Sequence, residues 1–126
     1  MSKANDARIK MAALEVEPMA YRTPIKFGGR VIEKSFLLNV TLTVESRDGK
    51  RNATGFGSMP IGNVWAWPSA TVTGDQAEAA MRTFAEEIVD LGSVCNEYGH
   101  PIDLGYHLSA EYEHTAKRIC QRMKLP

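Results

Sequence analysis

Apolar and polar positions alternate with a period of two through residues 36–45: Phe36, Leu38, Val40, Leu42 and Val44 share one face, and Asn39, Thr41, Thr43 and Glu45 the other. This pattern predicts a half-buried strand of an antiparallel sheet. Upstream, residues 10–21 are mostly apolar, with Glu15 and Glu17 alternating against Leu14 and Val16. Pro18 inside that run predicts an edge strand or a bulge. Downstream, Asp48-Gly49 suits the positive backbone angles of a tight hairpin, and residues 51–57 return as a third strand. Between the first two strands, Arg22-Thr-Pro-Ile-Lys-Phe-Gly-Gly-Arg30 is interrupted by Pro24 and by Gly28-Gly29. It predicts a mobile loop with Lys26, Phe27 and Arg30 near its tip.

After residue 70 the period changes to 3.6. Thr73, with Gln76 three residues later, fits a capping box, and Ala77, Ala80, Met81, Phe84 and Ile88 form an apolar stripe that ends before Gly92. His100-Pro101 breaks any continuation, and Ser109 is the expected cap of a second helix with the stripe Tyr112, Ala116, Ile119, Cys120 and Met123. Strands followed by helices predict an α+β domain, a three-stranded antiparallel meander followed by helices packed on one face. Residues 1–8 are polar and small, read as a disordered tail before a single domain over residues 9–126.

Composition narrows the function classes. The 126 residues suffice for one core, and 44% hydrophobic with 24% charged residues is ordinary for a globular domain. Fifteen basic residues balance fifteen acidic ones, so no cationic excess points to nucleic acid or to a membrane surface. No apolar run is long enough to span a bilayer and the N-terminus lacks the apolar core of a secretory signal, so a cytoplasmic protein is expected. Cys95 and Cys120 are too few and too far apart for a disulfide framework or a zinc pair. The sequons at Asn39 and Asn52 fall inside predicted strands and read as chance matches.

Residues 57–68 carry no charge and hold both tryptophans, Trp65 and Trp67, on a segment punctuated by Gly57, Pro60, Gly62 and Pro68. Large apolar rings on a loop make either a buried plug or a binding surface. Together with Lys26, Phe27 and Arg30, the residues Met59, Asn63, Trp65 and Trp67 would suit a small ligand with an anionic group and an apolar body. Other chemistry is weaker. His107, Glu111 and His114 have helical metal-ligand spacing, but with Ser109 as the cap His107 falls outside the helix, and a solvated polar face is the better reading. Glu86, Glu87 and Asp90 place acid near a helix end, where the dipole disfavours it, implying solvation or a basic partner. Ser58 lacks the nucleophile elbow and a histidine base, and neither Gly28-Gly29 nor Gly55-x-Gly57 has the strand-to-helix setting of a phosphate cradle.

The residues Leu14-Glu-Val-Glu-Pro18, Arg22-Thr-Pro24, the strand over 37–45, Asp48-Gly49 and Thr54-Gly-Phe-Gly57 occur in an order that resembles the N-terminal capping domain of the enolase superfamily. The mandelate racemase and muconate lactonizing enzyme branch is the most similar. Many relatives carry an acidic residue after the Gly-aromatic-Gly run, and here Ser58 stands there. The resemblance implies a two-domain enzyme in which this cap covers a β/α barrel. There Mg²⁺, held by barrel carboxylates, stabilises the enediolate formed when a barrel Lys or His removes the proton alpha to a carboxylate. A barrel takes roughly 200 residues or more, so the catalytic and metal-binding residues are expected outside this chain, and this chain carries no cofactor. The loops that close the active site and select substrate map onto residues 23–32 and 58–69. The expected partners are the enzyme's own barrel domain and a small carboxylate substrate. Apolar surface meant for the barrel would promote self-association, so a homo-oligomer is expected. A free-standing α+β module that binds a ligand or protein through Trp65 and Trp67 is the alternative.

Overall fold

The computed structural model describes residues 3–27, 29–62, 67 and 71–126; Phe27 and Arg30 are described by their backbone alone. Three strands, β1 (Ala7–Phe27), β2 (Arg30–Ser46) and β3 (Asn52–Pro60), form an antiparallel sheet in the order β1-β2-β3. Two helices follow, α1 (Gly74–Ser93) and α2 (Pro101–Met123). The domain is therefore α+β, a meander followed by helices.

Ordered structure begins earlier than expected from the polar N-terminus. Ala7 and Arg8 already pair with Ser46 and Glu45, and Arg47 N–H donates to Asp6 O at 2.8 Å. Charge at the tail is thus used against the second strand. Arg8 pairs with the Glu45 carboxylate, and the Arg8 and Arg47 guanidiniums both lie over the Tyr98 ring, 5.3 and 5.0 Å from its centroid.

Residues 22–27 and Arg30 belong to strands rather than to a loop. Ile25, Lys26 and Phe27 pair with Ile32, Val31 and Arg30, so β1 and β2 continue into a long hairpin that turns through Gly29 at φ +77°. Pro24 is accommodated because residues 21–24 oppose the single residue Glu33, a bulge in which no ladder hydrogen bond is required of it. Pro18 pairs opposite Phe36 on an edge strand, where a missing N–H removes no bond to β2. Asp48 and Gly49 lie in the β2–β3 hairpin as expected, with Gly49 at φ +69°.

Thr73 caps α1 through the expected box: its Oγ1 accepts from Gln76 N–H at 3.1 Å, and Gln76 Oε1 accepts from Thr73 N–H at 3.0 Å. Gly92 does not stop this helix. It is buried, and a Cβ there would lie 3.9 Å from Ile9 Cδ1, so it marks close packing of α1 on β1. α2 starts well before Ser109. Pro101 occupies its first turn, where a missing N–H costs nothing, and His100 Nδ1 accepts from Ile102 N–H at 3.2 Å. Ser109 Oγ instead donates to Tyr106 O within the helix. The stripe of α2 accordingly begins at Leu104 and runs through Leu108, Tyr112, Thr115 and Ile119.

Val40, Leu42 and Val44 on the inner face of β2 look towards Ile88 of α1 and Leu108 and Tyr112 of α2. The most buried apolar side chains, Ala77, Ala80, Val72 and Ile119, gather around α1. The other face of the sheet is polar at its centre: Asn39 Nδ2 donates to Glu17 Oε2, and the hydroxyls of Thr43 and Thr54 meet at 3.2 Å. No helix among the described residues is long and apolar enough to cross a membrane.

Candidate functional site

The two segments singled out for binding leave the sheet at the same end. β1 and β3 both run towards it, and Pro60 pairs with Leu37 while Lys26 pairs with Val31 farther along β2. Six residues of extended chain separate those pairs, so at about 3.3 Å per residue the hairpin tip stands roughly 20 Å beyond the end of β3. Lys26 is exposed, and the turn residues Phe27 and Arg30 pair with each other. Met59 is not on a loop but on β3, 70% exposed and paired with Leu38. The structure therefore brings Lys26, Phe27 and Arg30 to one tip and leaves Met59 apart from them. The bulge over 21–24 is the point at which the pairing of the hairpin shifts register from that of the rest of the sheet.

The tryptophan segment is secured at both ends. Ile61 is buried, its N–H donates to Phe36 O at 2.8 Å, and its carbonyl accepts from Ser35 Oγ at 3.1 Å. At the far end Val72 is 1% exposed and passes directly into the Thr73 cap. Each buried aliphatic contributes about 1.5–3 kcal/mol of transfer free energy, enough to fix where the segment begins and returns. Trp67 is half-buried. It is neither a deep core residue nor a bare surface ring. Asn63 and Trp65 lie outside the described residues.

A cation that sequence reasoning passed over stands near this base. The Arg82 guanidinium of α1 lies over the Phe36 ring, 5.1 Å from its centroid, and Phe36 is the residue whose carbonyl holds Ile61. An arginine on an aromatic face keeps donors available for an anion. No spacing along the chain links Arg82 to Phe36; only the packing of α1 on the sheet does so.

Elsewhere the chemistry is structural. His107 lies inside α2, contrary to the expectation from Ser109, and its Nε2 is 3.5 Å from Glu97 Oε2. Among the described residues no three His, Cys, Asp or Glu side chains come together in a metal-holding group. Cys95 and Cys120 are free and half-buried. The acidic end of α1 finds its basic partner in α2: Glu87 accepts from Arg122 at 2.7 Å and from Arg118 at 3.2 Å, and these two hydrogen bonds hold its carboxyl below the usual glutamate range. An apolar cavity of about 360 Å³ lies between β2 and α2, lined by residues including Val44, Leu104 and Leu108. It adjoins Ala7 and Pro101, away from the hairpin tip, and none of its lining residues is a carboxylate, histidine, lysine or arginine.

Compared with models of known protein families, with curated proteins and with solved structures, the chain matches none of them.

Proposed function

We propose that this domain is the substrate-selecting, active-site-closing cap of a cytoplasmic, Mg²⁺-dependent enolase-superfamily enzyme, a racemase, cycloisomerase or dehydratase. The observation that carries the proposal is the shared exit of the β1–β2 hairpin and the anchored tryptophan segment from one end of a three-stranded meander. That is the placement two lid elements need in order to close over one opening. Lys26 and Arg30 on the hairpin, with Arg82 over the Phe36 ring, supply cations for a carboxylate, and Met59, Trp65 and Trp67 supply apolar surface for the rest of a substrate. Closure excludes water and strengthens the electrostatics of the enclosed site. When bound in the barrel, Mg²⁺ supplies charge stabilisation for the enolate oxygen. This chain's share is enclosure and selection, and alone it is catalytically silent.

Reading the coding sequence past Pro126 tests the proposal directly: a β/α barrel is expected, and a stop codon there overturns it in favour of a free-standing binding module. In the complete enzyme with Mg²⁺, exchange of the alpha proton of a carboxylate substrate with solvent deuterium is expected. Replacing Trp65 and Trp67 together with Ala should impair turnover and substrate choice while the melting temperature moves little. Loss of folding instead would assign the tryptophans to the core.

A further inference from the structure

The two edges of the sheet are protected unequally. On β1 the outward backbone of Ala7 is paired with Gly99, Pro18 has no N–H, the ladder shifts register twice, and Arg8, Lys10, Glu15 and Glu17 spread charge along the strand. These are the devices by which a sheet avoids adding a further strand. β3 carries almost none of them. All nine of its residues are exposed, none is charged, and its ladder with β2 runs from Asn52 to Pro60 without a bulge.

The alternation of the ladder identifies the open groups. Ser46 N–H donates to Arg51 O, and Ile61 N–H donates to Phe36 O. Odd-numbered residues of β3 therefore direct their backbone groups at β2, and Asn52, Thr54, Phe56, Ser58 and Pro60 direct theirs to the free edge. The side chains of those same residues share the face away from the helices. There Thr54 meets Thr43, Ser58 Oγ donates to Asn39 Oδ1 at 2.6 Å, and Phe56 stands between them, 70% exposed.

Residues 54–58 read Thr-Gly-Phe-Gly-Ser, a run that is symmetric in side-chain character about Phe56. We propose that β3 pairs antiparallel with β3 of a second copy of this chain about a two-fold axis through Phe56, joining the two sheets into one. In this register Phe56 faces Phe56 of the second copy, Thr54 faces Ser58 and Gly55 faces Gly57. Every outward N–H of Thr54, Phe56 and Ser58 gains a carbonyl acceptor, and Pro60, with no N–H to offer, falls at the margin opposite Asn52. Gly55 and Gly57 occupy the pairs whose Cα atoms approach to about 4.5 Å. A Cβ built at either would meet no heavy atom of the described residues within 4 Å, so their side chains leave room at the inner side of the seam. A second copy is the favoured occupant because the pairing uses one uncharged, self-complementary segment twice, on a chain whose formal net charge is zero. The inference stands independently of the cap assignment.

Sedimentation velocity of the full chain from micromolar to millimolar concentration tests it. A reversible dimer is expected. Phe56→Lys sets two ammonium groups opposite each other at an exposed position and should weaken the dimer about tenfold or more. The register is tested separately: Thr54→Lys with Ser58→Lys should give a monomer, whereas Thr54→Lys with Ser58→Asp sets unlike charges across the seam and should remain dimeric. Far-UV circular dichroism confirms that each variant is folded, and the doubly substituted pair decides the matter if Phe56→Lys is not. A wild-type chain that stays monomeric throughout, or a dimer that survives the Lys/Lys pair, overturns the proposal.

Discussion

Ile119 and Tyr106 lie on the same helix and are both large, yet Ile119 is 2% exposed and Tyr106 83% exposed. Replacing Ile119 with Ala should cost about 2–5 kcal/mol of unfolding free energy, because the lost transfer term is joined by a cavity that the surrounding helices cannot close. Tyr106→Ala should change stability by no more than about 0.5 kcal/mol. Urea denaturation of the two variants checks both values. Ile119 was legible in the 3.6-residue stripe, since the residues around it repeat with that period. Leu104 was not, because with Ser109 taken as the cap its turn lay outside any helix. Arg82 was legible to no local rule, since what makes it a candidate is the ring of Phe36 on a different element.

Among the elements, alternation placed β2 and the capping box placed α1 because both are short-range patterns with a direct physical cause. At the start of α2 two cap signals compete: Ser109 is a good capping side chain, but Pro101 is compatible only with a first turn or a break, and the packing of Leu104 selects the first turn. Thr73→Ala should therefore destabilise by about 1 kcal/mol, within the range of cap deletions. Ser109→Ala, which removes only a bond back to Tyr106 O, should leave stability within about 0.5 kcal/mol. Thermal unfolding of the pair distinguishes a cap from a helix-interior serine. The β1–β2 hairpin departs from the expected loop for a related reason: Pro and Gly mark departures from regular pairing, but a bulge and a turn absorb them without ending the strands.

At the scale of the whole molecule, Glu87 joins the two helices through Arg118 and Arg122. Its carboxyl is held below its ordinary value, chiefly by the hydrogen bond from Arg122 and then by that from Arg118. A carboxylate whose folded pKa is depressed contributes stability that is complete above its unfolded pKa and is lost as pH falls through the folded one. Glu87→Gln should accordingly lower the melting temperature at neutral pH, and the difference from wild type should shrink to nothing in acid below the folded pKa of Glu87. A melting series from pH 7 down to pH 2 measures this, and added salt should reduce the neutral-pH difference because the pair is partly exposed.

Short-range regularities determined a good deal from sequence alone: the class of the domain, the alternating faces of β2, the Asp48-Gly49 turn, the capping of α1 and the identity of the uncharged tryptophan segment. Each rests on a period or a turn requirement contained within a few residues. Tertiary structure decided the rest. It carried the hairpin tip roughly 20 Å past β3, moved Met59 from a loop onto a strand, seated Arg82 on Phe36, matched Glu87 to the arginines of α2, and left β3 as the open edge. These features depend on which distant residues meet, and contacts between distant residues are settled by packing and strand register rather than by local preference.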